Sequence, residues 1–126
     1  MKNTFTLTIS PSAWDAVQQR VEQMHEDPNE TIRESRELTE ALDEFLSVLY
    51  SRKRLKRPVR IHADLAFEIA DEAEHRLDIV EEYRGGSTID PAVYVGDEER
   101  REIQKERRGL LEFLSNLYPL RGTLEA

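Results

Sequence analysis

A nine-residue pattern occurs twice in this chain of 126 residues. The first copy, residues 42–50, reads Leu-Asp-Glu-Phe-Leu-Ser-Val-Leu-Tyr, and the second, residues 110–118, reads Leu-Leu-Glu-Phe-Leu-Ser-Asn-Leu-Tyr. Seven of the nine positions are identical at an offset of 68 residues. Coincidence between two amphipathic helices is the alternative, but a shared Glu-Phe-Leu-Ser-x-Leu-Tyr favours an internal duplication. The chain is therefore expected to fold as two similar halves.

Each half opens with a short segment in which apolar and polar residues alternate. Residues 4–9 alternate three apolar side chains with three threonines, and residues 59–62 alternate Val59 and Ile61 with Arg60 and His62. A period of two in β-branched and aromatic residues predicts a strand with one buried face. The two segments are expected to pair as a small ribbon.

Four amphipathic helices are predicted to fill most of the remaining chain. Ser10-Pro11 and Asp64 are suitable residues for beginning a helix, whereas Pro119 and Gly122 are expected to end the last one. The expected helices cover residues 11–26, 30–54, 64–83 and 97–118. Trp14, Phe45 and Phe113 are assigned to the core.

These elements predict a single, mainly α domain over residues 1–126. It consists of four helices and a small two-stranded β-ribbon, built from a duplicated strand–helix–helix unit with pseudo-twofold symmetry. The internal repeat spans residues 3–54 and 58–121. The absence of cysteine excludes disulfides and thiolate sites, and no apolar run is long enough for a membrane span. A cytoplasmic protein without membrane contact is expected.

The charge is unevenly distributed along the chain. The net charge of −8 argues against a generic nucleic-acid binder, because a polyanion would be repelled. The predicted second helix carries an acidic face, proposed as an interaction surface, that consists of Glu30, Glu34, Glu37, Glu40 and Glu44. Rows of carboxylates on a rigid helix can imitate nucleic-acid phosphates and occupy a basic groove of a partner, as small viral inhibitors do. Ordinary solubilising charge is the alternative.

A basic strip interrupts the acidic sequence between residues 52 and 60. Six of the 18 basic residues lie there without any acidic residue: Arg52, Lys53, Arg54, Lys56, Arg57 and Arg60. The strip is interpreted as a second candidate interaction surface, for DNA or for the acidic face of a partner. A helix end followed by a solvated linker, or docking on the protein's own acidic helix, would also explain it.

The strand–helix–helix order resembles that of the ribbon-helix-helix family of DNA-binding proteins. In that family two such units pair their strands and lay the ribbon in the major groove. The resemblance implies that Thr4, Thr6 and Thr8, with Lys56, Arg60 and His62, would face the bases. The long second helix, its acidity and the missing glycine turn depart from the family. Because the two units usually come from two chains, a homodimer is also possible.

Two Glu-x-x-His spacings, Glu22/His25 and Glu72/His75, are typical of carboxylate-bridged di-iron bundles. Glu44 and Glu112 would supply the two further carboxylates. Glutamate is frequent in this chain, however, and the first pair borders the apolar stripe. We therefore expect no cofactor and no enzyme. The predicted function is that of a small acidic, non-catalytic protein that regulates or inhibits a macromolecular partner, most simply a protein. The alternative is a DNA-binding transcriptional regulator.

Overall fold

A computed structural model describes residues 4–51, 58–86 and 96–125, with side chains up to residue 80 in the second segment and residue 120 in the third. Its elements are β1 (Thr4–Leu7), α1 (Pro11–Glu26), α2 (Glu30–Glu34), α3 (Arg36–Ser51), β2 (Val59–His62), α4 (Ala63–Gly86) and α5 (Asp97–Glu125). The predicted class, mainly α with a small ribbon, is confirmed. No helix in the described segments is long and apolar enough to cross a membrane.

The two strands pair antiparallel within one chain. Phe5 lies opposite Ile61 and Leu7 opposite Val59, and all four side chains are buried. The other face carries Thr6 opposite Arg60, both exposed to solvent. The alternation therefore gave the correct buried face for both strands.

The predicted second helix is divided into α2 and α3, so the described chain has five helices rather than four. Ser35 has an extended backbone (φ −112°, ψ 110°), and its N–H donates to the carbonyl of Ile32 to end α2. Its hydroxyl accepts the N–H of Leu38 at 3.1 Å and thereby caps α3. Thr39 donates its hydroxyl to the Ile32 carbonyl at 2.9 Å across the break. Serine competes with the helical backbone for these donors, which is why it interrupts the helix.

Two other helix boundaries differ from the expectation. Helix α4 begins at Ala63, and His62 rather than Asp64 caps it, because the ribbon continues up to His62. Helix α5 does not end at Pro119 but runs to Glu125. Proline removes one backbone hydrogen bond, yet its fixed φ is helical, and Pro119 is exposed. The segment that the sequence predicts as a loop between the last two helices, residues 88–96, lies outside the described residues except for Gly96.

The core forms between the ribbon and the helices, with α1 packed most extensively against α5. Trp14, Phe45 and Phe113 are buried, as expected, and the Trp14 and Phe45 rings meet edge to face at 6.1 Å. Helices α1 and α5 approach closely at Gly109. A Cβ placed there would lie 2.9 Å from Ala16 Cβ and 3.1 Å from Ala13 Cα. The absence of a side chain at Gly109 is what permits this approach.

The two copies of the nine-residue pattern have the same burial at most positions. Phe45 and Phe113 are buried, whereas Tyr50 and Tyr118 are exposed. Leu111 is 38% exposed, and Asp43, which precedes it by 68 residues, is exposed as well. Any two amphipathic helices bury side chains at the same period, so this shared burial does not test the duplication. The duplication stays a prediction.

Candidate interaction surfaces

The amino-terminal end of α1 is held by a glutamate from α5. Ser10 caps α1, because its hydroxyl accepts the Ala13 N–H at 3.3 Å. The same hydroxyl donates to Oε1 of Glu112 at 2.8 Å, and the Ser10 N–H donates to Oε2 of Glu112. A carboxylate close to the positive end of a helix dipole is stabilising. Glu112, which the di-iron interpretation would use as a ligand, thus has a structural role.

The amino-terminal end of α4 is held in a similar way by a histidine and a different glutamate. His62 Nδ1 accepts the N–H of Asp64 at 3.2 Å, so the ring proton lies on Nε2. Nε2 is 3.0 Å from Oε1 of Glu37, to which it donates. The residue that corresponds to Glu112 at an offset of 68 is Glu44, yet Glu37, two helical turns earlier, reaches the α4 cap. The two caps are therefore held from positions that do not correspond to each other in the repeated pattern.

The five glutamates of the predicted acidic face are all exposed on α2 and α3. Glu37 is hydrogen-bonded to the His62 ring, and Glu40 accepts a hydrogen bond from Arg36 Nε at 3.1 Å. Glu30, Glu34 and Glu44 form no side-chain hydrogen bond or ion pair with the described part of the chain. Within the described segments, no contacting cation neutralises these three carboxylates.

A groove of about 630 Å³ lies between the ribbon and α3. It is lined by Thr4, Thr6, Arg60 and His62 from the ribbon, and by Glu40, Ala41, Glu44 and Val48 from α3. Its lining is thus partly apolar, and it contains two carboxylates and one guanidinium. The carboxylates stand beside the ribbon face that the DNA-binding interpretation assigns to the bases, which makes that face unfavourable for phosphate.

Only one residue of the basic strip belongs to the described segments. Arg60 is exposed on β2, opposite Thr6, as the ribbon interpretation requires. Arg52, Lys53, Arg54, Lys56 and Arg57 lie outside the described residues. The prediction for the strip as a surface therefore stays untested apart from the exposure of Arg60.

Comparisons with known proteins give no relative. No protein-family model, curated protein or solved structure matches the chain. The functional assignment consequently depends on the geometry and charge of these surfaces.

The two Glu-x-x-His pairs do not converge on a metal site. Glu22 accepts hydrogen bonds from Gln18 at 3.1 Å and from the Tyr50 hydroxyl at 3.2 Å, and His25 lies 2.7 Å from Asp43. Among the residues that the structure describes, no group of three or more histidines and carboxylates is arranged to hold an ion.

Sequence reasoning missed an ion network at the junction of α1, α4 and α5. Arg76 donates from two nitrogens to Glu106, at 2.8 and 3.0 Å, and Arg20 Nη2 lies 4.0 Å from the same carboxylate. Burial lowers the pKa of Arg20, Arg76 lowers that pKa further, and Glu106 opposes both effects. Arg20 falls within the apolar stripe between Val17 and Met24, which could have indicated a buried partner. The network joins three helices and is structural.

Proposed function

We propose that this protein is a small acidic, non-catalytic binding protein that regulates or inhibits a protein partner in the cytoplasm by occupying a cationic surface. Its carboxylates would take the places of nucleic-acid phosphates in a basic groove. The observation that carries this proposal is the exposure of Glu30, Glu34 and Glu44 without a compensating cation in the described chain.

Physical chemistry supports a cationic partner for such a surface. Neighbouring carboxylates repel one another, and a guanidinium or ammonium group brought between them relieves that repulsion. In a protein of net charge −8 the long-range field also attracts cationic partners and accelerates their association at low salt. Binding through this surface should weaken as salt is added, because exposed charges are screened.

The test is the displacement of a labelled DNA duplex from a peptide of twelve arginines. We expect the protein to displace the duplex, and the triple variant Glu30→Lys, Glu34→Lys, Glu44→Lys to need at least a tenfold higher concentration. Glu37 is left unchanged because it holds His62. The matched control, Asp71→Lys, Glu74→Lys, Asp78→Lys, makes the same change of charge at exposed positions of α4 and should lose less than threefold.

Two results would count against the proposal. If the wild-type protein does not displace the duplex, the protein has no phosphate-like surface. If both triple variants lose the same activity, net charge rather than the α2–α3 surface is responsible. Circular dichroism and the fluorescence of the single tryptophan, Trp14, verify that each variant is folded.

A DNA-binding regulator that uses the ribbon is the second candidate. The observation that favours it is the antiparallel ribbon itself, with Thr6 and Arg60 opposite each other on the exposed face. A two-stranded ribbon fits the major groove, where threonine and arginine can contact bases or phosphates. The anisotropy of a labelled random duplex should then rise with protein and fall steeply with salt.

The matched variants for this candidate are Arg60→Ala on the ribbon and Arg101→Ala on α5, both at exposed positions. Arg60→Ala should weaken duplex binding at least fivefold, and Arg101→Ala should leave it nearly unchanged. An absence of duplex binding by the wild-type protein, even at low salt, would remove the DNA-binding candidate.

A further inference from the structure

The imidazole of His62 lies at the corner between β2 and α4 and contacts two other segments of the chain. Its Nδ1 accepts the main-chain N–H of Asp64 at 3.2 Å and faces that of Leu65 at 3.5 Å. Its Nε2 donates to Oε1 of Glu37 on α3, at 3.0 Å. The side chain is only 12% exposed, so its nitrogens depend on these partners more than on water. His62 is therefore both the cap of α4 and a contact to α3.

Both contacts depend on the protonation state of the ring, and in opposite ways. Nδ1 can accept the Asp64 N–H only while it carries no proton, because an imidazolium donates from both nitrogens. A protonated ring would place a positive charge and a donor against the N–H groups at the positive end of the α4 dipole. The contact with Glu37 would instead gain an opposite charge and become stronger. Protonation thus removes one contact of the ring and strengthens the other.

The charged groups around the ring favour its retention at the corner after protonation. Those of the described chain that contact it or share its groove are Glu37, Glu40 and Glu44 from α3, Arg60 from β2 and Asp64 from α4. Thr4, which lies opposite His62 on β1, carries no charge. The carboxylates attract an imidazolium, whereas the guanidinium and the first N–H groups of α4 repel it. The protonated ring would therefore stay against Glu37 and turn away from α4.

We propose that His62 makes the first turn of α4 sensitive to pH: the neutral ring caps the helix, and protonation releases the cap while the contact with Glu37 holds. Histidine is the side chain whose charge ordinarily changes between about pH 5 and about pH 8. Because His62 also lines the groove between the ribbon and α3, the release alters one wall of that groove. The inference does not rest on the proposed function, since every contact that carries it lies within the chain.

His25 provides a matched comparison in the same chain. It lies 2.7 Å from Asp43, so it too forms a histidine–carboxylate contact between α3 and another element. It is located in the last turn of α1, where a positive charge is favourable, and it caps no amino-terminal helix end in the described part of the chain. Protonation of His25 should strengthen its contact without releasing a helix.

The test is a titration of the full chain, labelled with ¹⁵N and ¹³C, from about pH 8 to about pH 5. At the upper end, the ring nitrogens of His62 should show a proton on Nε2 and none on Nδ1. As the ring becomes protonated, the amide proton signals of Asp64 and Leu65 should move upfield with the loss of their hydrogen bond. The Cα signals of residues 63–66 should move towards random-coil values at the same midpoint, and titration of His25 should produce no such change in α1.

The variant His62→Asn keeps a side-chain oxygen that can cap α4 and removes the group that binds the proton, so the signals of Asp64 and Leu65 should no longer change. His62→Ser serves the same purpose if the asparagine variant does not fold. A proton on Nδ1 near pH 8, a ring that stays neutral down to pH 5, or amide signals that remain in place while the ring titrates would each overturn the inference. A transition that persists in the substituted proteins would belong to another group, such as Asp64 or Glu37, and would overturn it as well.

Discussion

Substitution of Gly109 by alanine tests the close crossing of α1 and α5. The new Cβ would lie 2.9 Å from Ala16 Cβ, 3.1 Å from Ala13 Cα and 3.2 Å from the Ser12 carbonyl oxygen. Carbon atoms prefer about 3.5–4.0 Å, and two of these neighbours are backbone, so the helices must separate. Overpacking of this kind costs about 2 kcal/mol, whereas alanine gains about 1 kcal/mol of helix propensity over glycine. We expect Gly109→Ala to lower the free energy of unfolding by about 1 kcal/mol.

The assay is urea unfolding, followed by circular dichroism and by Trp14 fluorescence. A double-mutant cycle with Ala16→Gly separates the clash from the propensity, because that change removes the nearest neighbour of the new Cβ. Gly109→Ala should be less destabilising in the Ala16→Gly background by about 1 kcal/mol. If Gly109→Ala instead stabilises the protein by about 1 kcal/mol in both backgrounds, propensity alone is acting and the close crossing is refuted.

Two further predictions follow from buried or paired side chains. Phe45→Ala and Phe113→Ala should each lower the free energy of unfolding by about 3–5 kcal/mol, because both rings are buried; a loss below about 1 kcal/mol at either position would contradict their equivalence in the repeat. The pKa of Tyr50 is raised, first by desolvation and then by the charge and hydrogen bond of Glu22. The stability that this hydrogen bond contributes is present below the ordinary tyrosine pKa and is lost as pH rises through the higher folded-state pKa. Ultraviolet titration of wild type and Glu22→Gln, each compared with the same protein carrying Tyr50→Phe, should show the Tyr50 pKa falling in the Glu22→Gln background; an unchanged value would exclude the pairing.

Local sequence pattern was sufficient for the ribbon and for the first helix. The alternation at residues 4–9 gave the buried face correctly, because a strand exposes every second side chain whatever it packs against. Ser10-Pro11 likewise gave the start of α1, since capping and the fixed φ of proline are local properties. Glu30, Glu34 and Glu44 were placed on the surface for a similar reason: unpaired carboxylates are costly to bury.

Features that depend on tertiary contacts were not predictable. His62 caps α4 while its other ring nitrogen contacts Glu37, a residue distant in sequence. The position of Glu37 depends in turn on the break at Ser35, a residue that a helix can also accommodate. Glu44 lines the groove beside the ribbon, whereas Glu37 reaches the α4 cap, and the sequence does not distinguish these two places. The repeat predicted equivalent helices, and the structure shows why they are not used equivalently.

Both candidate functions involve the groove between the ribbon and α3, and replacement of two of its side chains can distinguish them. Glu40 and Glu44 line it together with Arg60. A duplex that approached Arg60 would meet both carboxylates, whereas a cationic partner would be attracted by them. Replacing both by glutamine removes two negative charges and adds no cation, so the candidates require opposite results. Duplex binding should strengthen if the ribbon reads DNA, and displacement of the duplex from the arginine peptide should weaken if the protein imitates a nucleic acid. If the double variant changes neither duplex binding nor displacement of the duplex from the arginine peptide, neither function depends on the groove.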